Sequence, residues 1–380
     1  MAQGPAARTH RLAKQEASIT MFATRILILG CGGYIGSHLL DRLLAIPGMQ
    51  VTGWDVSSAK IENHLAHPGF EFHRAHLSSP EAIAALEPHI ARADVVMNLA
   101  AICNPAEYVT NPLRVLHSNL FDTYQVPVLC AKHRKWLIHF STSEVYGRTI
   151  ASYLPGNTYD DPDLYELRED STPLIMGPIS NLRWTYASAK QVMERLIHAY
   201  NDETGMPYTI VRPLNFFGPR MDYLPGHDGE GTPRVLASFM SALIDGTPMQ
   251  LVDGGGARRT IISIEDAVDA LMLMLDNPDG AQNQIFNIGN PSNEVTMREL
   301  AELMRRIYAD ITGDDSYRNH PIESISSLDF YGPGYEDCDR RMPSIENAKR
   351  QLGWTPRKNL PDLLRETMTA FHQQYVAQGG

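Results

Sequence analysis

The chain is predicted to be an α/β protein: a Rossmann-type doubly wound parallel sheet followed by a smaller C-terminal α/β substrate lobe. Three observations carry that prediction. An apolar stretch at 25–29 leads into Gly30-Cys31-Gly32-Gly33-Tyr34-Ile35-Gly36 and a helical pattern reaching residue 45, the strand, turn and helix that receive a dinucleotide pyrophosphate. Short apolar strands then alternate with helical segments as far as residue 212, the rhythm of a parallel sheet. After the fifth strand comes a stretch rich in Ser, Thr and Tyr, 141–190, at the strand end where open parallel sheets place reactive loops.

Composition narrows the class. The 380 residues are 43% hydrophobic and 20% charged, with no apolar run long enough to span a bilayer, so neither a disordered chain nor a membrane protein is expected. A formal charge of -11 argues against broad nucleic-acid binding, and an anionic ligand would need a local cluster of arginines. Cysteines 31, 103, 130 and 338 have no paired metal-ligand spacing and suggest a reducing, cytoplasmic setting. Residues 1–20 contain Arg8, Arg11 and Lys14 but no apolar core, and are expected to be a disordered tail. The expected domains are an NAD-binding unit at 21–216 and a substrate lobe at 217–380, with some elements of the second returning to the first.

Taken in order, Gly30, Gly33 and Gly36 fit G-x-x-G-x-x-G, with Tyr34 and Ile35 inside the turn. The second strand, 50–54, ends at Asp55, about where an acid receives the adenosine ribose hydroxyls. No arginine follows it directly, which favours NAD over NADP. His64, His67, His73 and His76 straddle a loop and a strand without a thiol or clustered carboxylate, so no metal is expected. Strand 94–99 delivers Leu99 and Ala100 into a small-residue loop that lets the backbone approach a cofactor. In that loop Cys103 is either a reactive thiol or a small buried hydrophobe, and the second is favoured. A helix is expected at 112–131, and strand 136–140 then delivers Thr142, Ser143 and Glu144. Residues 148–178, rich in Pro, Gly and acids, read as an irregular excursion over the site mouth.

A helix over 183–199 would place Tyr186 and Lys190 on one face, a turn apart. An ammonium near a phenol lowers its pKa and makes a base for a sugar hydroxyl. The spacing by itself more often marks a solvated helix face; the dinucleotide motif is what makes it a candidate site. The second lobe is expected to contain helices 233–244, 264–275, 296–309 and 360–375 and strand 284–288. It also holds Arg220, Arg234, Arg258, Arg259, Arg340 and Arg341 near glycine-containing turns, forks suited to a diphosphate or a sugar carboxylate. Any one of them taken singly fits a surface role.

Seven segments together resemble the extended short-chain dehydrogenase/reductase superfamily and, within it, the UDP-glucuronate decarboxylase group that includes UDP-apiose/UDP-xylose synthases. They are AAICNPAEY (100–108), STSEVYG (141–147), RWTYASAK (183–190), RPLNFFGPR (212–220), LVDGGGARRT (251–260), FNIGNPSNEVT (286–296) and YGPGYEDCDRRMPS (331–344). The resemblance implies NAD on Gly30, Gly33, Gly36 and Asp55, with Tyr186 starting oxidation at sugar C4 and Lys190 on the nicotinamide ribose. It implies Thr142 and Ser143 against the sugar, Glu144 as proton acceptor and Arg341 as proton donor around decarboxylation. Tyr108, Arg183, Asn215, Arg234, Arg259 and Tyr335 would hold UDP-glucuronate. Relatives of this kind pair as homodimers through the helices corresponding to 111–131 and 183–205. The chain keeps Cys103 but has Ser143 where the apiose synthases carry a second cysteine, which leaves UDP-apiose, UDP-xylose and a 4-keto pentose open as products. A 4-epimerase or 4,6-dehydratase would share the fold, but a dehydratase should show Asp-Glu in place of Ser143-Glu144. Neither requires the arginine of RRMPS. A non-catalytic dinucleotide-sensing module would be expected to lose Tyr186 or Lys190, and both are present.

Overall fold

The computed structural model describes residues 24–155, 159–224, 233–333 and 336–376. The expected tail at 1–20 and Tyr335 lie outside the described residues. The strands are β1 (Arg25–Leu29), β2 (Gln50–Asp55), β3 (Phe70–Arg74), β4 (Val95–Asn98), β5 (Trp136–Phe140), β6 (Glu166–Leu167), β7 (Tyr208–Pro213) and β8 (Phe216–Phe217). The second half adds β9 (Met249–Val252), β10 (Arg258–Thr260), β11 (Ile262–Ser263), β12 (Gln284–Ile288), β13 (Glu294–Thr296), β14 (Ile322–Ile325) and β15 (Arg340–Pro343).

Among the described residues, seven strands form a parallel sheet in the order β12-β7-β5-β4-β1-β2-β3. The apolar runs of β1, β4 and β5 are buried almost throughout, as strands covered on both faces must be. One face is covered by the helices Tyr34–Leu44 and Ile264–Asp276, whose Leu39, Leu40, Leu43, Leu271 and Met274 join a common core with Ile26, Ile28, Val95 and Ile138. The other is covered by Pro80–Arg92, Gln125–His133 and Thr185–Thr204 through Leu86, Ile90, Val126, Met193 and Ile197. The chain runs outward from β1 to β3 and returns to β4 on the other side of β1. That reversal opens a crevice at the carboxyl ends of β1 and β4. Beyond residue 217 the elements divide. Helix Ile264–Asp276 and strand β12 return to the large sheet. Helices Val235–Asp245, Met297–Thr312 and Leu360–Tyr375 build a separate core around Leu236, Met240, Leu300, Met304 and Leu364.

Two local expectations need correction. The helix expected at 112–131 is instead Pro112–Leu116, a wider π turn His117–Phe121, and a helix Gln125–His133. The Asn119 side-chain amide donates to the Val115 carbonyl at 2.9 Å, competing for an acceptor of the helical ladder, and also to the Ile102 carbonyl at 2.9 Å. Pro127, which has no N–H, then falls in the first turn of the new helix, where none is needed. The described residues of the excursion, 148–155 and 159–178, contain two short 3-10 turns and β6, which pairs in parallel with β15 of the second lobe. Asn287 of β12 fastens it from below. Its Nδ2 donates to the Leu167 carbonyl at 2.8 Å and the Ser344 carbonyl at 3.2 Å, while its Oδ1 accepts from the Tyr146 hydroxyl at 2.9 Å.

Asn287→Ala would remove three buried hydrogen bonds and leave the Tyr146 hydroxyl proton without its acceptor, although the Ser344 amide still reaches the Leu167 carbonyl and Arg212 the Tyr146 oxygen. Urea unfolding is expected to show a loss of about 2–4 kcal/mol. A loss under about 0.5 kcal/mol, the range of ordinary surface changes, would mean that Asn287 does not hold the excursion.

Candidate active site

The crevice opens into a cavity of about 810 Å³. Gly30, Gly33, Tyr34, Ile35, Gly36 and Leu99 line it from the first strands, and Cys103, Tyr108, Thr142, Ser143, Glu144, Arg183, Tyr186 and Lys190 from the middle of the chain. Asn215, Arg234, Arg259 and Arg341 line it from the second half. Of the candidates singled out in the sequence, Asp55, Ala100, Arg220, Arg258 and Arg340 are not in the lining, the three arginines being paired with Asp41 or Glu294, and Tyr335 is outside the described residues.

Asp55 instead closes the glycine turn. Its Oδ2 accepts the Gly32 amide at 2.9 Å and its Oδ1 the Ser57 amide at 3.0 Å. Gly30 has φ +88°, and a Cβ there would lie 2.9 Å from the Ala100 nitrogen and the Leu99 carbonyl carbon, so only glycine lets the two strand ends approach. Arg74, which sequence order concealed, is paired with Asp55 across β2 and β3 and donates to the Val56 carbonyl and the Ser58 hydroxyl. The cradle is narrow, lined by backbone, and opens at a helix N-terminus, which fits a dinucleotide pyrophosphate.

Tyr186 and Lys190 share a face of the helix Thr185–Thr204, as expected, and both are buried. Their electrostatics differ from the expectation. The Lys190 ammonium donates to the Phe140 carbonyl at the end of β5, 2.9 Å away, the acceptor that a buried cation needs. Burial brings the Lys190 pKa down to about 8. Burial also pushes the Tyr186 phenol well above its ordinary value, and the neighbouring Cys103 and Glu144 act in the same direction. A hydrogen bond with Thr142 and the Arg183 charge oppose this only in part. The phenol of the cavity as it stands is therefore protonated. Its ring stacks on Tyr108 with centroids 4.6 Å apart and planes 10° from parallel, and the Arg183 guanidinium lies 5.1 Å from the Tyr108 ring centre.

Glu144 is the electrostatic centre. Thr142 caps the short turn Ser143–Tyr146 by accepting the Glu144 amide, which turns the Glu144 side chain inward. Arg183 grips both carboxylate oxygens, with Nη2 at 2.6 Å from Oε1 and Nη1 on Oε2, and Arg341 Nη1 adds a third bond to Oε1 at 3.2 Å. Burial raises the carboxyl pKa, but the two guanidinium groups outweigh it and bring it to about 2. The expected proton acceptor is thus ionised yet weakly basic until an arginine is drawn away. One carboxylate against two guanidinium groups leaves one positive charge in the pocket. Arg341 also has Nε and Nη2 buried with no hydrogen-bond partner among the described residues.

The other arginines are committed differently. Arg259 holds Asp337 by two contacts of 2.6 Å and donates to the Cys338 carbonyl. Arg234 binds Asp222 and the Met221 carbonyl. Asn215 donates to the Thr260 carbonyl at 2.8 Å. Cys103 is exposed in the lining, contrary to the expectation of a buried hydrophobe, because the loop after β4 stays open instead of packing inward. Asp253, Asp337 and Asp339 are acidic lining residues not singled out in the sequence, although the last two lie within the segment 331–344. His73 departs from the other histidines of its region and meets Glu71 and His89, with the possible ligand atoms all within 4.8 Å of one another, outside this cavity.

A family model described as "NAD dependent epimerase/dehydratase family" matches residues 26–289. The chain belongs to that family. NAD is accordingly its cofactor. Among curated members, UDP-D-apiose/UDP-D-xylose synthase 1 of Arabidopsis thaliana is 46% identical over 362 residues, covering 92% of each chain. The UDP-D-apiose/UDP-D-xylose synthase of Oryza sativa subsp. japonica is 46% identical over 361 residues, covering 92% of this chain and 89% of the other. Among solved structures, the PbgP3 protein from Burkholderia pseudomallei superposes with a TM-score of 0.78 at 32% identity, covering 94% of this chain and 98% of that one. A UDP-glucuronic acid 4-epimerase from Bacillus cereus shares the fold, with a TM-score of 0.72 at 22% identity over 92% of this chain and 100% of that one.

For this family member, Glu144→Gln would leave two buried guanidinium groups without their anion, costing about 3–5 kcal/mol of stability at pH 7. The folded pKa near 2 lies below the ordinary 4.5. Glu144 therefore contributes stability above about pH 4.5 and loses it as the pH falls towards 2. Urea melts of wild type and variant should diverge at pH 7 and converge in acid; a gap that stayed constant would contradict the charge assignment.

Proposed function

We propose that this chain is an NAD-dependent UDP-glucuronate decarboxylase that oxidises the sugar at C4 and releases C6 as carbon dioxide, giving a UDP-pentose. The observation that carries the reading is the buried cluster of Glu144, Arg183 and Arg341, with its surplus positive charge and the unpartnered N–H groups of Arg341 among the described residues, in the same cavity as Tyr186. A sugar carboxylate would satisfy both. The 46% identity to UDP-apiose/UDP-xylose synthases over nearly the whole chain supports the same substrate.

Tyr186 acts in its phenolate form, which the added positive charge of the Lys190 ammonium and of bound NAD would favour, and so takes the proton of the C4 hydroxyl. Lys190, anchored on the Phe140 carbonyl, keeps positive charge near the phenol and stands where it can bind the nicotinamide ribose. NAD, when bound, would accept the C4 hydride and, as NADH, would return it where a UDP-pentose and not the 4-keto pentose is released. The resulting ketone is β to the carboxylate, so the electrons of the C5–C6 bond can move into it as carbon dioxide leaves. Arg341 donates hydrogen bonds to the carboxylate and then to the developing enolate. A carboxylate that competes for Arg183 or Arg341 loosens their hold on Glu144, raises its basicity and lets it exchange a proton with the sugar. Thr142, Ser143 and Tyr108 contact the sugar, and Asn215, Arg234, Arg259 and Tyr335 hold the uridine diphosphate end. In this reading residues 21–216 chiefly bind NAD and 217–380 chiefly the nucleotide sugar.

No helix among the described residues is long and apolar enough to cross a membrane. We place the enzyme in the cytoplasm as a homodimer. Exposed Leu113, Phe121, Tyr124 and Val192 lie on the helical segments 112–133 and 185–204 and support pairing through them.

Tyr186→Phe should retain NAD but lose turnover by roughly 10²–10⁴-fold; loss of NAD binding would remove Tyr186 from the role of base. Arg341→Ala should still reduce NAD slowly while releasing carbon dioxide roughly 10²-fold or more slowly. Unchanged release would take Arg341 out of the mechanism. NMR of the protein with NAD and UDP-glucuronate identifies the product. A branched apiose signal would mean that the exposed Cys103 suffices for ring contraction, and xylose or a 4-keto pentose alone that Ser143 marks a simpler decarboxylase. Unreacted substrate, or a UDP-hexuronate epimer, would overturn the reading.

A further inference from the structure

The three segments that build the Glu144 cluster are joined a second time, outside the cavity, around another carboxylate. Glu336 Oε1 accepts from Arg148 Nη1 at 2.8 Å, and its Oε2 accepts from Asn181 Nδ2 at 2.9 Å and from Trp184 Nε1 at 2.8 Å. Arg148 follows the turn that carries Glu144, and Trp184 is the neighbour of Arg183. Glu336 itself precedes Asp337, the partner of Arg259, and lies five residues before Arg341. The inner and outer clusters therefore use the same three pieces of chain: 142–148, 181–184 and 336–341.

The outer cluster is a built site. Gly177 packs its backbone against it, so that a Cβ there would collide with Glu336 Oε2 and stand 2.9 Å from Trp184 Nε1 and 3.1 Å from Asn181 Nδ2. Arg148 also lies over the Tyr153 ring at 4.7 Å and donates to the Ser152 carbonyl, which fixes it from the other side. Burial raises the Glu336 pKa, but Trp184, Asn181 and Arg148 together outweigh it and hold the carboxyl ionised. Glu336 does not line the cavity.

We infer that Glu336 is a positioning residue for decarboxylation: its three contacts clamp segment 336–341 against the turn of Glu144 and the Arg183 corner, and so set the Arg341 guanidinium at the reacting carboxylate. The inference rests on the decarboxylase reading and adds to it a residue that touches neither substrate nor cofactor. The clamp acts on the same bond-breaking step. The Arg341 backbone sits in β15 beside Arg259 of β10, but among the described residues its guanidinium has a single hydrogen bond, to Glu144 at 3.2 Å. Displacements of about 1 Å at a reacting group can cost up to 10²-fold in rate.

The test compares full-length wild type, Glu336→Gln, Arg341→Lys and the double variant, measuring carbon dioxide release from UDP-glucuronate, NAD binding and thermal unfolding. Glu336→Gln keeps the shape but weakens the grip on Arg148. It should lower kcat for release roughly tenfold or more, with NAD binding intact. In the Arg341→Lys background the same change should have less than about a twofold effect, because residues acting through one another are not additive. Asn181→Ala, a milder loss of one donor, should show the same pattern more weakly and serves if Glu336→Gln does not fold. Wild-type kcat in the folded variants, or an equal loss in both backgrounds, would overturn the clamp. A wild type that consumes UDP-glucuronate without releasing carbon dioxide would overturn the decarboxylase reading and the clamp with it.

Discussion

A carboxylate buried between two guanidinium groups is the constraint on which the site depends. Glu144 cannot enter the interior alone, since an isolated buried charge is far too costly. Arg183, 39 residues away, and Arg341, 197 residues away, make its burial possible. In return the cluster fixes where the turn after β5, the start of the helix Thr185–Thr204 and the strand β15 meet. Tyr186 stands beside that junction, so the placement of the phenol and the excess of positive charge are consequences of one arrangement.

The sheet explains why the arrangement sits where it does. Strands β1, β4 and β5 are covered on both faces and leave only their carboxyl ends open. The glycine turn, the loop with Cys103 and the turn with Glu144 leave from those ends side by side. The second lobe reaches the site because β12 and the helix Ile264–Asp276 return to the large sheet and because β15 pairs with β6. The described residues of the excursion 148–178 do not line the cavity; they are fastened to the second half of the chain by Asn287 at Leu167 and by Glu336 at Arg148.

What was legible in the sequence was local. The spacing of Gly30, Gly33 and Gly36, and of Tyr186 and Lys190, follows from turn and helix geometry, and the strands 25–29, 136–140 and 284–288 from short apolar runs between turn signals. Long-range partners were not legible. Nothing near Glu144 announces Arg341, which emerged only through the resemblance of the segment 331–344, and nothing near Glu336 announces Trp184. Asp55 was legible as an acid at the end of β2, but its bonds to the Gly32 and Ser57 amides were not. The helix at 112–131 was overestimated because an Asn side chain that competes for a carbonyl has no signature in apolar periodicity. Cys103 was misjudged because burial in a loop depends on what the rest of the chain packs against it. The desolvation that raises the Tyr186 phenol in the cavity was not legible, because spacing gives proximity but not burial.

The account stands on the claim that the arginine-held carboxylate makes this a site for losing a carboxyl group and not for inverting a hydroxyl. UDP-glucuronate carrying ¹³C at C6 tests that claim most directly, incubated with the protein and NAD and followed by NMR. The account predicts that the label leaves as carbon dioxide and bicarbonate while an unlabelled UDP-pentose species accumulates. Label retained in a C4-epimeric UDP-hexuronate would contradict it.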